Sequence, residues 1–596
     1  MPRLPATFVE EFSRLPIAHA LREVFREGYD ARKLRRDLVA GATVAIVALP
    51  LSMALAIATG VPPQHGLYTA IVAGAFVAAL GGSRFQVTGP TAAFIVVLAP
   101  VVSQYGLAGL LTAGLLAGLM LIAMGVARLG RLIEFIPHPV TTGFTAGIAT
   151  VIFVLQLKDA LGLQVEALPE HFPEKVAALF RARGTVSLPD VATAAITLLV
   201  LLGLPRLTRR LPAPLFAVAA ASASAALLNA FFPEFDPATV GSRFQSEVNG
   251  QLVPGIPRAV PMPGLPWEGT PLTLDWIRQL LPPAFTIAIL AAIESLLSAV
   301  IADGMTGTRH EPNSELVALG IGNVAAPLFG GIPATGALAR TATNVRAGAV
   351  SPVASIIHAL GVLVAMLVAA PLVAYVPMAS LAALLMVVAW NMSEARHAAH
   401  ILKVAPKSDA AVLLACYGLT VFFDMVIAVS FGVLLAALLF TRRMAELTQS
   451  RLLGGSEQGS AGARDLPPHV AVYEIAGPLF FGAAQRGMAA LDAIGTEVRV
   501  VVLDLGRVPA MDASGLVALE SALGRLHRMK KFAILSGPFP EPRSMFVRAE
   551  LERHHENIAI ASDRSEALEI ARDLVLLNPH WLTPSQSAPK SASPAP

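Results

Sequence analysis

Apolar residues in this chain run in long, nearly unbroken stretches, and the few polar breaks between them outline the fold. Between residues 38 and 127 the only Asp, Glu, Lys, Arg or His residues are His65 and Arg84. Crossing the hydrocarbon layer takes about 20 apolar residues, and Gly/Pro punctuation divides this tract into about four spans. Similar runs follow at 137–157, 189–204, 211–232, 277–302, 316–330, 333–345, 351–374, 376–391, 409–423 and 425–441. The pattern predicts a polytopic α-helical membrane protein of about fourteen transmembrane segments within residues 38–443. Residues 1–37 are polar and basic, without the apolar core of a cleavable signal, and are read as a cytoplasmic N-terminal segment.

After Arg443 the pattern changes. Residues 444–467 are polar and Gly/Ser-rich, a linker. Residues 468–577 alternate short apolar runs with amphipathic stretches and predict a small α/β domain. Its expected strands are 470–475, 498–505, 532–535 and 558–560, and its expected helices are 483–494, 514–528, 544–554 and 564–576. The tail 578–596 turns to Ser/Pro/Ala low complexity and is expected to be disordered.

Composition agrees with this partition: of 596 residues, 55% are hydrophobic and 14% charged, with a mean hydropathy of +0.64. A single cysteine, Cys416, excludes a disulfide framework and a cysteine metal site. No phosphate-binding loop of the Gly-x-x-x-x-Gly-Lys type is evident, which argues against ATP-driven transport. No metal, cofactor, nucleic-acid partner or catalytic residue is assigned, so the chain reads as a carrier, not an enzyme. Basic clusters mark the cytoplasmic side. Arg32/Lys33/Arg35/Arg36, Arg128/Arg131, Arg206/Arg209/Arg210, Arg396/Lys403/Lys407 and Arg442/Arg443 share one face if the spans number fourteen, with both termini cytoplasmic. The loops at 160–188 and 233–274 then lie outside, and Trp267 and Trp276 fall near an interface.

Two interruptions carry the chemistry. Thr88-Gly89-Pro90-Thr91-Ala92 and Thr335-Gly336-Ala337-Leu338-Ala339-Arg340 lie in corresponding halves, offset by about 250 residues, and such paired breaks point to the substrate site of a secondary transporter. Helix N-termini at the breaks would present unpaired N–H groups and a partial positive charge to an anion. The competing reading is that these glycines serve close helix packing. Arg340 is stranded between apolar tracts, where a charge is costly and therefore seldom idle. It can fork onto an anion; alternatively it snorkels to an interface or ties subdomains together. Glu294 lies alone in the uncharged run of the eighth span. It is a candidate for proton exchange, with Ser295 and Ser298 as nearby hydroxyls; the same groups could hold Na⁺, or Glu294 could form a permanent ion pair with Arg340. Asp424 reads as an outer-loop residue, His138 as a wetted boundary residue and His358 as a satisfied core histidine. His554-His555 lacks the spacing of a metal site.

Several motifs together resemble the SulP family of anion transporters: Ala48-Leu49-Pro50-Leu51-Ser52-Met53-Ala54, Gly66-Leu67-Tyr68, Thr88-Gly89-Pro90-Thr91-Ala92 and Asn313-Ser314-Glu315-Leu316-Val317-Ala318-Leu319-Gly320. The C-terminal part, with Asp504-Leu505 and Met511-Asp512-Ala513-Ser514-Gly515-Leu516, is similar to a STAS domain. Gly81-Gly82-Ser83-Arg84-Phe85, Ala292-Ile293-Glu294-Ser295 and Ala389-Trp390-Asn391-Met392-Ser393 are similar to the C4-dicarboxylate uptake branch of that family. The resemblance implies a 7+7 inverted repeat with core and gate subdomains, in which the third and tenth spans are half-helices meeting near mid-membrane. It implies an anion site at Leu55, Thr91, Ala92, Ala337, Leu338, Ala339 and Arg340, with ion coupling at Glu294 and Ser298. The expected function is proton-coupled uptake of C4-dicarboxylates (succinate, fumarate, aspartate) across the inner membrane. The alternative is an inorganic anion (sulfate, bicarbonate or chloride), with sodium as a possible coupling ion; a membrane scaffold presenting its STAS domain is a third class. A homodimer and cytoplasmic protein partners of the STAS domain are expected as well. Bacterial STAS regulators carry a phosphorylatable Ser after the loop Asp, and Ala513 stands there instead, which argues against that regulation.

Overall fold

The computed structural model describes residues 17–578 except 134–136, 166–168, 170, 209–210, 249–250, 424, 454–465, 481–483, 485–487, 489–490, 492–493 and 555–556. The expectations for Asp424, for His555, for most of the helix 483–494 and for the tail beyond residue 578 therefore lie outside the described residues. The chain divides into two compact units, residues 1–434 and 435–596.

The first unit is helical. A short helix α1 (His19–Arg26) precedes α2 (Ala31–Ala58) and α3 (Pro63–Leu80). Asp30 caps α2 by accepting from the Lys33 N–H at 2.8 Å, so the first span begins inside the segment expected to precede it. Arg84 clamps α1 through Glu23 at 3.0 Å and through Glu27, and this guanidinium holds the Glu27 carboxyl below its ordinary value. After β1 (Thr88–Gly89) comes α4 (Ala93–Val126), bent at Gly106, whose φ of 67° and ψ of −170° only glycine adopts readily. Next are α5 (His138–Ala160), α6 (Phe172–Arg181), α7 (Leu188–Leu207) and α8 (Ala213–Phe231). The hairpin β2 (Gln245–Val248) and β3 (Gln251–Pro254) leads to α9 (Leu274–Thr306) and α10 (Pro312–Leu328). Then follow β4 (Thr335–Gly336), α11 (Leu338–Arg346), α12 (Val353–Val373), α13 (Met378–Met392), α14 (Ala395–Val404), α15 (Lys407–Phe422) and α16 (Met425–Leu447).

Among the described residues, nine helices are long and apolar enough, by length and composition, to cross a membrane. Dividing α4 at Gly106 and adding α3, α10, α11 and α15 is consistent with the expected fourteen. The packing has the exchange that an inverted repeat requires: α2 lies along α12, while α4 lies along α9. In the first pair the first span of one half meets the fourth span of the other, and in the second the first span of the other half meets the helix that holds the third and fourth spans. Small residues let these helices close. A Cβ on Gly118 of α4 would come within 2.7 Å of the Val324 amide nitrogen on α10, the close approach that membrane helices use when no hydrophobic force drives them together.

The second unit contains a five-stranded sheet in the order β5 (Gln449–Leu453), β6 (Val470–Ala476), β7 (Val500–Arg507), β8 (Phe532–Ser536), β9 (Ile558–Ala561). β5 runs antiparallel and the other four are parallel. α17 (Ala513–Arg528) and α18 (Pro540–Arg548) cover one face of the sheet with Leu519, Leu523, Leu526 and Phe546; α19 (Arg564–Leu577) covers the other with Ala567, Ala571 and Val575. The four expected strands form within two residues of their predicted bounds. The expected linker 444–467 is corrected in part, because Gln449–Leu453 is strand β5 paired with β6. Asp512 caps α17 by accepting from the Gly515 N–H at 2.7 Å, which accounts for the acidic residue of that loop.

Candidate functional site

The third and tenth spans are broken where the Thr-Gly steps predicted it. Thr88–Gly89 and Thr335–Gly336 pair antiparallel, Thr88 opposite Gly336 and Gly89 opposite Thr335. Extended backbone at membrane depth needs internal partners, and it has them. The Ala337 N–H donates to Val87 O at 2.8 Å, and the Val87 N–H donates to Thr341 Oγ1 at 3.0 Å. Asn323 supports the approach to β4, its amide donating to Ala334 O while its oxygen accepts from the Ala334 N–H, both at 2.8 Å. α4 and α11 start just beyond this two-strand crossing, at Ala93 and Leu338. The first-turn N–H groups of both helices, which lack intrahelical acceptors, are thus concentrated at one place.

Arg340 sits in the first turn of α11 and is 2% exposed. Its Nη2 donates to Pro90 O at 3.0 Å, whereas Nη1 has no hydrogen-bond partner among the described residues. A side chain on Gly89 would collide with Nη1, so the guanidinium lies directly over the first break. Snorkelling is therefore not what this arginine does. The next residue along the break, Thr91, donates from Oγ1 to Glu294 Oε2 at 2.8 Å. Consecutive residues of one loop thus bind the cation and the carboxylate, and the ion pairs among the described residues do not join Glu294 to Arg340. Ser298 does not turn to Glu294; its hydroxyl donates to Thr341 Oγ1 at 3.2 Å. Ala337 is buried, Leu338 half-buried and Ala339 exposed, so α11 presents a small apolar step beside the buried guanidinium. Leu55 and Ala92 belong to the main apolar cluster, Leu55 being 2% exposed.

Three polar residues at the crossing were given no site role by the sequence, Glu315 entering only within a family motif. Glu315, 1% exposed, accepts from the N–H groups of Gly82 at 2.8 Å and Ser83 at 3.0 Å. Its other oxygen accepts from Gln86 Nε2 at 2.8 Å, and the same amide reaches Ser295 Oγ at 2.5 Å. Thr341, already noted, receives both Val87 and Ser298. Gln86 could have been noticed as a long polar side chain inside an uncharged stretch. Glu315 stands at the edge of the run 316–330 and so reads as a polar helix end. His358 is a fully buried core residue, as expected; its ring lies against the Ser355 backbone without a well-formed hydrogen bond among the described residues.

Replacing Glu315 with leucine should strand three buried donors, each costing about 1–3 kcal/mol. The variant should unfold in detergent at a markedly lower temperature than wild type, with Glu315→Gln intermediate because one acceptor oxygen survives. Intrinsic-fluorescence melting checks this; a leucine variant melting with wild type would show that the tie carries no stability.

Comparison with known proteins bears on both units. Residues 34–416 match the model of the sulfate permease family, and residues 464–567 match that of the STAS domain. A relative named "Putative sulfate transporter YvdB" from Bacillus subtilis (strain 168) is 41% identical over 526 residues, covering 88% of this chain and 95% of its own. The solved transmembrane domain of a cyanobacterial bicarbonate transporter, BicA, is 28% identical with a TM-score of 0.57, covering 69% of this chain and 98% of that one. The murine Slc26a9 anion transporter in its inward-facing state has a TM-score of 0.80 at 18% identity, covering 96% of each chain, a likeness of fold alone.

Proposed function

Because the chain belongs to the sulfate permease family, a family of membrane anion transporters, and ends in a STAS domain, we propose that it is a secondary carrier of a small inorganic oxyanion, sulfate or bicarbonate. The observation that carries this reading is the unpartnered Nη1 of Arg340, a buried cationic donor at the start of two helices. An oxyanion there completes the guanidinium fork and meets helix N-termini. The relatives' printed cargoes, sulfate and bicarbonate, support this reading better than the C4-dicarboxylate expected from the sequence, for which they offer no support. The anion site takes in Thr91, Ala92 and the step Ala337–Arg340, with Leu55 behind it.

Glu294 is the coupling group. It is the carboxylate that Thr91 links to the first break, and protonation would neutralise it without disturbing Arg340. Ser298 supports the site through Thr341. The carrier sits in the inner membrane with both termini cytoplasmic, in keeping with the one-sided basic clusters. It works as a homodimer whose STAS domains contact cytoplasmic proteins.

The test is uptake into proteoliposomes of labelled sulfate, bicarbonate and fumarate, each with and without an inward proton gradient and with and without sodium. Sulfate or bicarbonate should accumulate and fumarate should compete weakly. Preferential uptake of fumarate would restore the dicarboxylate reading, and accumulation driven by sodium alone would remove the proton from Glu294.

A further inference from the structure

α14 is amphipathic in a way the transport cycle does not use. Glu394 precedes it in the left-handed region, with φ of 43°, so the chain turns sharply out of α13 before the new helix begins. The apolar positions Ala395, Ala398, Ala399 and Leu402 fall at i, i+3, i+4 and i+7 and share one stripe. That stripe forms one wall of a cavity of about 490 Å³ whose other walls are α5, α13 and α15, with Ala149, Phe153, Trp390 and Tyr417 among the lining residues. Trp390 is 67% exposed. The remaining polar positions of α14 are Arg396, His397, His400 and Lys403, all exposed, and its ten residues contain no acid. The His397 ring packs against that of His138 at 5.1 Å, which adds a further basic side chain from the start of α5.

The geometry points to a binding site for an anionic phospholipid, one acyl chain lying in the α5–α13–α15 cavity and the phosphate held by Arg396 and Lys403. An apolar cavity of this size suits one small hydrophobic body, and its α5 wall is a helix long and apolar enough to cross a membrane. A cationic helix lying in the headgroup layer is the usual complement of an anionic lipid surface, and the arginine adds a two-pronged grip on phosphate. A zwitterionic lipid would fill the cavity equally well but would gain little from the rim.

Trp390 reports on the site directly. Its emission, taken as the difference between wild type and W390F, should be quenched by phosphatidylglycerol brominated in its acyl chains with about thirtyfold higher apparent affinity than by brominated phosphatidylcholine, in line with about 1 kcal/mol for each of the two basic residues near an anionic surface. The double variant R396Q/K403Q should lose that preference while keeping the wild-type quenching by phosphatidylcholine, which shows that the cavity itself is intact. Equal quenching by the two lipids in wild type would overturn the proposal in favour of ordinary boundary lipid. Absence of Trp390 quenching, with W390C cross-linking between copies, would overturn it in favour of a second copy of the chain covering the cavity.

Discussion

Arg340→Met should weaken anion binding by about 2–3 kcal/mol, on the order of thirty- to 150-fold in Kd. The protein should still insert and fold. Among the described residues the guanidinium makes one hydrogen bond, to Pro90 O, and methionine keeps most of the buried length while removing the charge and the N–H donors. The effect should fall mainly on affinity because, of the lost groups, only Nη2 ties the break through Pro90 O, whereas Nη1 and the charge are left over for a ligand. Gly89→Ala provides an independent arm. The added methyl group collides with Nη1, so it should displace the cation without deleting it and reproduce the weakened binding. Isothermal titration with sulfate and with bicarbonate on purified protein reads both variants. If Arg340→Met binds as wild type does, the guanidinium is a structural tie between the two broken spans and the anion sits elsewhere.

Glu294→Gln should uncouple the carrier. Glutamine has the shape of the protonated acid and retains an oxygen that can accept from Thr91 Oγ1, so the geometry at the first break should survive. The variant should bind the anion and exchange it across a membrane at zero gradient at close to the wild-type rate. Accumulation should disappear: a one-unit pH gradient is worth about 1.4 kcal/mol per proton, roughly tenfold in concentration, and the variant should fall back to equal concentrations. Counterflow and gradient-driven uptake in the same vesicles separate the two properties. Wild-type accumulation by Glu294→Gln would assign coupling to another group.

Much of this arrangement was legible in the sequence because membranes make polar breaks costly. The Thr-Gly steps, the isolated Arg340 and the isolated Glu294 stood out against tracts that tolerate neither charge nor irregular backbone without cause. What stayed hidden is what depends on distant chain crossing. Glu315 and Gly82 are 233 positions apart, and nothing local distinguishes a carboxylate that ties a remote loop from one that opens a helix. In the second unit the strands with β-branched runs declared themselves. β5 did not, because Gln449–Leu453 is half polar, lies beside a Gly/Ser stretch, and becomes a strand only through the edge that β6 offers it.

The antiparallel pair at the centre of the first unit also sets an order of events during synthesis. Thr88 and Gly89 leave the ribosome some 250 residues ahead of Thr335 and Gly336. Throughout that interval the first break has no partner for its extended backbone and no arginine beside it. The early half must therefore wait in the membrane with unpaired amide groups, sheltered by the insertion machinery or by water, until the late half arrives to close them. A chain halted before residue 335 would hold every helix of its first repeat and no seat for an anion, whereas two fragments cut at the exposed residues 271–274 and made in the same cell could still assemble one.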